Sequence, residues 1–269
     1  MSNAFRILAG LALTATLWPG AAAADGDTPY LATIAIERAA GSNGVLGESV
    51  ASTLHVNEPQ KTAALLAQVD GMEITATGDS TVSILAAARP TLKEAPTDRH
   101  HNNTWVLDFD EDAIQGLLAE LAAEHDNVPS PAELEQFVFD HITNKSYSRA
   151  FDLASRVAAT REGDCTEHAV LLAALARANG YPARVVFGNL VLDFDEGLFA
   201  FGHAWAEIYV DDAWQIRDAT LPENDPSLRQ ARYLPAGDLR EEGPAYFMAL
   251  VETMATMPTR ISNVGSSSR

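Results

Sequence analysis

The stretch REGDCTEHAVLLAALARANGYPARVVFG, residues 161–188, holds Cys165, the only cysteine in 269 residues. One cysteine cannot form an internal disulfide, so it is either a small buried hydrophobe or a free thiol kept for its reactivity. Asp164 and Glu167 flank it at the spacing of a capping box, with Asp164 as N-cap and Glu167 at the third helical position. Cys165 then falls in the first helical turn, where free backbone N–H groups and the positive end of the dipole favour a thiolate. The same N–H groups can hold a developing oxyanion. This placement predicts a thiol ionised below its ordinary range and alkylated readily near about pH 6. The AVLLAALA that follows is apolar nearly all round, as in a buried helix that would hold the cysteine rigidly.

A nucleophilic thiol needs a base, and the base needs an orienting group. His168 lies one turn past Cys165 but has no acidic orienter in the sequence pattern, so it reads as packing against the helix's neighbours. His203, in FGHAWAEIYVDDAWQIRDATL, has a better-placed partner. With Asp211-Asp212 as a two-residue hairpin turn, Val210 pairs with Ala213 and Trp205 faces Asp218. His203 is then a diagonal neighbour of Asp218 on one face, about 7–8 Å away between backbones and within reach of long side chains. A change of one residue in the turn would move Asp218 to the other face.

The elements that must carry these residues follow from the surrounding pattern. From Asp110 the periodicity is helical: DEDAIQGLLAELAAEHD, then SPAELEQFVFDHI with Ser130 as N-cap, Pro131 at the first position and Glu133 closing a capping box. SRAFDLASRVAAT reads as a third helix, and the nucleophile helix runs from Asp164 to Asn179, stopped by Gly180 and Pro182. Strand signals follow in ARVVFGNLVLDF, LFAFGHAWAEIYV and AWQIRDATL. Helices followed by an antiparallel run predict an α+β fold.

Before Asp110 the chain reads as strand and turn, with TPYLATIAIERA, GMEITATG, STVSILAAA and NTWVLDFD as strands and PQKTAALLAQV as a helix. PTLKEAPTDRHHNN reads as a loop in which His100 and His101 are exposed and unliganded. Near the C-terminus GPAYFMALVETMATM reads as a helix and SNVGSSSR as disordered.

The first residues hold one positive charge, Arg6, an apolar run from Ile7 to Trp18, and Ala22-Ala23-Ala24 before Asp25. That is the pattern of a secretory signal peptide over 1–24, with no stable membrane insertion after cleavage and a periplasmic or secreted product. The chain has 18 Lys and Arg against 37 Asp and Glu, a formal charge of −19. Such a balance repels phosphate backbones and anionic lipid, which argues against nucleic acid and membrane surfaces as partners. The organisation read from these signals is a signal peptide at 1–24, a β-rich segment at 25–109, the helix-and-sheet domain at 110–250 and a tail at 251–269.

GDCTEHAVLLAALARANGYPARVVFG followed by HAWAEIYVDDAWQIRDAT resembles the transglutaminase-like superfamily, a branch of papain-like thiol enzymes. The motifs are a G-D-C at a helix start, R-A-x-G-x-P-A-R-V, H-A-W and D-A-T, in that order, and the resemblance spans about residues 131 to 221. Tyr181 stands where the family more often has Ile or Val. The resemblance implies a helix bearing the cysteine packed on an antiparallel sheet bearing the histidine and aspartate. It implies Cys165 as nucleophile, His203 as general base and acid, and Asp218 as orienter of the imidazole. The expected activity is cleavage or transfer of the acyl group of a peptide or glutamine amide through a cysteine thioester, with no cofactor and a protein or peptide substrate. The second reading is a non-catalytic binding or assembly protein on the same fold. A metal site on Cys165, His168 and His203 lacks paired-ligand spacing and a fourth ligand, and no calcium loop motif occurs. Asn144 and Tyr147 are candidates for a second oxyanion donor.

Overall fold

In the computed structural model, residues 33–42, 44–125, 127–145, 151–194, 197–221 and 231–267 are described. The segment read as a signal peptide lies outside them, as does Tyr147. The elements in chain order are β1 (Thr33–Arg38), β2 (Ser49–His55), α1 (Pro59–Leu66), β3 (Val69–Thr77) and β4 (Thr81–Leu92). Next come α2 (Asp112–Glu124), α3 (Pro131–His141), α4 (Ala154–Thr160), α5 (Cys165–Ala178), β5 (Ala183–Phe194) and β6 (Gly197–Val210). The last are β7 (Ala213–Arg217), β8 (Arg232–Asp238), α6 (Tyr246–Met254) and β9 (Arg260–Ser266). The fold class is α+β: helices in the middle of the chain, and strands on both sides of them joined in one sheet.

The nine strands run β3-β4-β2-β9-β1-β6-β5-β8, with β7 paired to the far half of β6. All pairings are antiparallel except β1 with β9. The sheet curls, so β4 meets β8 and Arg89 sits 5.3 Å over the Tyr233 ring. Inside the curl lie Val69, Leu92, Val186, Leu190, Trp205 and Tyr233; on the other face of β5 and β6 the helices pack through residues such as Leu172, Val185 and Ala206. Trp205 and its neighbours on alternate positions face inward while Ala204, Ala206 and Ile208 face the helices, as the period-two pleat requires.

Both helix starts follow their sequences. Ser130 accepts from the Glu133 N–H and Glu133 reaches back, and Asp164 and Glu167 do the same at α5. α5 ends before Gly180, which takes a φ of 88° that an L side chain rarely adopts.

Four expectations are corrected. SNVGSSSR is not disordered as far as Ser266: Ser262–Ser266 complete β9, held between β1 and β2. Asn103–Asp110 is not a strand, although Val106 and Leu107 are buried. β4 runs on through Pro90 to Leu92, because Pro90 needs no ladder donor there. The third helix begins only at Ala154, after an extended Leu153. β2, a strand the sequence pattern does not announce, carries the buried residues of SVASTLH on alternate positions.

Candidate active site

Asp211 and Asp212 take φ values of 52° and 60°, the left-handed pair of a type I′ turn, and Val210 pairs with Ala213 as the sequence predicts. Asp218 follows directly on β7. Its Oδ2 accepts a 2.7 Å hydrogen bond from His203 Nε2 and a 2.9 Å bond from the Tyr233 hydroxyl. Oδ1 accepts from the Thr220 N–H at 3.1 Å, and the Asp218 N–H donates to Glu135 Oε1 at 2.6 Å. Burial works against the Asp218 charge, but the His203 charge and the three donors outweigh it and hold the carboxyl below its ordinary range. A carboxylate fixes the neighbouring Nε2 as the donor, so His203 Nδ1 is left for a reacting group.

Cys165 stands at the start of α5, and its sulfur accepts the N–H of Ala204, the residue after His203. The cap carboxylate takes the N–H groups of Thr166 and Glu167, which leaves the Cys165 N–H as the first-turn donor not claimed by the cap. Cys165, His203 and Asp218 are 8%, 5% and 2% exposed.

The thiol is pushed up, not down, which corrects the expectation of a resting thiolate. Burial is the first cause, followed by the Asp164 charge; the Ala204 N–H opposes them, and Asp218 and Glu167 add to the rise. The helix end is surrounded by acids that the sequence pattern counts only as caps. Glu167 itself is pushed up to about 8, by burial and then by Asp164.

His168 is excluded as the base by its partners. Its Nδ1–H donates to the Asp164 carbonyl at 2.5 Å, and its Nε2 accepts from Lys145 at 2.6 Å. Burial, then Lys145, lowers its pKa to about 3, so it is neutral and both ring nitrogens are occupied. It packs and pairs, as expected of it, and Lys145 was not foreseen. Asn144 bridges to Glu162 through its backbone, bringing its segment alongside the residues that lead into Cys165.

Sequence reading also missed Glu135 and Tyr233. Glu135 sits on α3 at 2% exposure, and a buried acid in an otherwise apolar stripe was the available signal. Tyr233, on β8, had none.

Gly188 faces His203 across the β5–β6 ladder. A Cβ there would lie 2.2 Å from the Leu234 carbonyl oxygen and 2.7 Å from the Trp205 ring, so only glycine lets β8 and Trp205 close on this site.

His100 is fully buried in a short turn at Asp98–His100, contrary to the exposed loop expected, and lies with Glu94 and Asp238 within 4.8 Å. These three could hold a metal by residue type, but both carboxylates are paired with arginines and His100 Nδ1 is used by Thr97, which leaves only the buried His100 Nε2 without a partner. Arg99 binds Glu94 at 2.9 Å and Asp238 at 2.5 Å, Arg240 binds both carboxylates as well, and His100 Nδ1 accepts the Thr97 N–H. The group is an ion-pair network that ties the loop after β4 to β8.

No curated protein matches the chain. The chain is similar to a candidate cysteine protease from Cytophaga hutchinsonii, at 14% identity and a TM-score of 0.43, over 71% of this chain and 77% of that one. It is similar also to the periplasmic domain of TgpA from Pseudomonas aeruginosa, at 17% identity and a TM-score of 0.42, over 78% and 90%. The family model of the transglutaminase-like superfamily matches residues 115–219, which include Cys165, His203 and Asp218 and begin earlier than the motifs alone suggest. The match runs from within α2 to the residue after Asp218, and over that segment the chain is similar to the transglutaminase-like superfamily.

Proposed function

We propose that this protein is an exported thiol acyl enzyme in which Cys165 is the nucleophile, His203 the base and acid, and Asp218 the orienter of the imidazole. The observation that carries the reading is the 2.7 Å bond from His203 Nε2 to a buried carboxylate, with Cys165 against the next residue of the same strand. A carboxylate secured by the Tyr233 hydroxyl and the Thr220 N–H fixes the imidazole and stabilises the imidazolium that a general base must become.

The raised thiol sets the order of events. Cys165 rests as S–H and gives its proton to His203 Nδ1 as the sulfur attacks an amide carbonyl. The carbonyl oxygen takes up charge beside the Cys165 N–H. His203 then protonates the departing amine, the C–N bond breaks, and a thioester stays on the enzyme. Water or a second amine next gives its proton to His203 and attacks the thioester, which restores the thiol. Water makes the protein a peptidase or amidase, and an amine makes it a protein-glutamine acyltransferase. Export to the periplasm or medium rests on the Arg6, Ile7–Trp18 and Ala22-Ala23-Ala24 pattern. The substrate class is a protein or peptide.

The test is to incubate the mature protein with a glutamine-bearing peptide, with and without a tagged primary amine, and follow products by mass spectrometry. Deamidated or cleaved peptide marks hydrolysis, and tagged peptide marks transfer. An unchanged peptide across a varied peptide set, with no adduct on Cys165, favours the non-catalytic binding reading.

A further inference from the structure

We propose that Tyr233 is a positioning residue of the site, holding the Asp218 carboxylate in place through the same oxygen that receives the His203 N–H. This rests on the reading of Cys165, His203 and Asp218 as a working group. Tyr233 lies on β8, beyond the segment that matches the family model, and is reached only because β8 pairs with β5 at Leu190.

The geometry leaves the hydroxyl little else to do. Tyr233 is 1% exposed, and its hydroxyl donates to Asp218 Oδ2 at 2.9 Å, while His203 Nε2 donates to that atom at 2.7 Å. Its ring is locked by Trp205, edge-on at 5.1 Å, and by Arg89 at 5.3 Å. The backbone of Thr220 secures only Oδ1. Without the hydroxyl, the carboxylate can pivot about its Cγ, and the imidazole with it. Tyr233 itself is an ordinary neutral donor: burial first, then the Asp218 charge, pushes its pKa up.

Two donors on one oxygen share its charge, so the hydroxyl also sets how strongly Asp218 stabilises the imidazolium. Removing it leaves more charge for His203, and the His203 midpoint should rise. The other groups facing the pair are Cys165 and His168 of α5, Glu135 of α3, Arg217 of β7 and Arg89 of β4. His168 stays neutral down to about pH 3, so it does not titrate in the same range.

The experiment follows the His203 ring by NMR against pH in the full chain, in wild type and Tyr233→Phe, which keeps the ring and its packing. The expected result is a midpoint higher by about 0.5–1 in the variant. Site-specific replacement of Tyr233 by 3-fluorotyrosine, a stronger donor, should move the midpoint the other way. Alongside, the rate of Cys165 acylation by p-nitrophenyl acetate should fall about tenfold in Tyr233→Phe at fixed pH. Opposite shifts support the proposal, because a purely structural tyrosine would not produce them. Coincident midpoints in the folded proteins overturn it; should Tyr233→Phe fail to fold, the 3-fluorotyrosine protein decides alone. Shifted midpoints with no acylation in wild type would leave Tyr233 as a positioning residue and remove the thiol acyl reading instead.

Discussion

β4 and β5 are each twelve residues long and differ in what covers them. β4, TVSILAAARPTL, alternates: Val82, Ile84 and Ala86 are buried, and the residues between them are partly exposed. β5, ARVVFGNLVLDF, is buried from Ala183 to Asp193, with the helices on one face and Trp205, Tyr233 and Leu92 on the other. The difference is partly legible in the sequence, as alternation in β4 against the mostly apolar β5, whose Arg184, Asn189 and Asp193 are buried as well. The candidate site stands on the doubly covered side. There a carboxylate can be stripped of water and still be satisfied, as Asp218 is, and a histidine can be held at 5% exposure without losing its partner. The half-covered strands β2, β3 and β4 supply area and a wall but no member of the proposed catalytic group.

Breaking that contrast should have its largest effect inside the doubly covered half. Asp218→Asn keeps the shape but presents an amide to His203, which mis-sets the tautomer. Turnover should drop by about 10⁴, as in the equivalent serine-protease change, with unchanged circular dichroism. Near-wild-type turnover would mean that another group orients the imidazole.

Gly188→Ala comes next. The new methyl must displace the Leu234 carbonyl or the Trp205 ring, so we expect a loss of about 3 kcal/mol or more by chemical denaturation, together with activity. Leu54→Ala, in the half-covered β2, should cost a similar about 2–5 kcal/mol through its cavity. Its turnover per folded molecule should be unchanged. A fall in turnover for Leu54→Ala equal to that for Gly188→Ala would erase the distinction between the two halves.

The smallest effect is a pH dependence. A raised folded pKa keeps the Cys165 proton on where an unfolded thiol, near about 8.5, loses it. The folded state then binds more protons, so this contribution to stability is full below that value and fades as pH rises through the alkaline range. Iodoacetamide should accordingly react slowly with native Cys165 at about pH 6 and faster as pH climbs. A plateau already reached in mild acid would restore the thiolate expected from the helix start.

What the sequence made legible was local. The capping boxes at Ser130 and Asp164, the stop at Gly180 and the Asp211-Asp212 turn each depend on residues within a few positions. The β6–β7 register followed from that turn and brought His203 to Asp218. What stayed hidden was non-local. Tyr233 reaches Asp218 because β8 pairs with β5 more than forty residues away, and β9 enters the sheet beside β2 from the far end of the chain. The thiol's direction has both kinds of cause: its burial, the largest, and the Asp218 charge arise only once the chain is folded, whereas the Asp164 charge is local and the sequence pattern counts it only as a cap. His100 joined a buried network through Asp238, which no pattern around it announces.

Trapping the acyl enzyme tests whether Cys165 is a nucleophile served by His203. The full chain is mixed with p-nitrophenyl acetate near neutral pH, quenched in acid within one turnover and mapped by peptide mass spectrometry. We expect an acetyl group on the peptide containing Cys165, formed about 10²–10⁴ times more slowly in His203→Ala and at nearly the wild-type rate in His168→Ala. Acetylation elsewhere but not at Cys165, or an equal rate without His203, would contradict it.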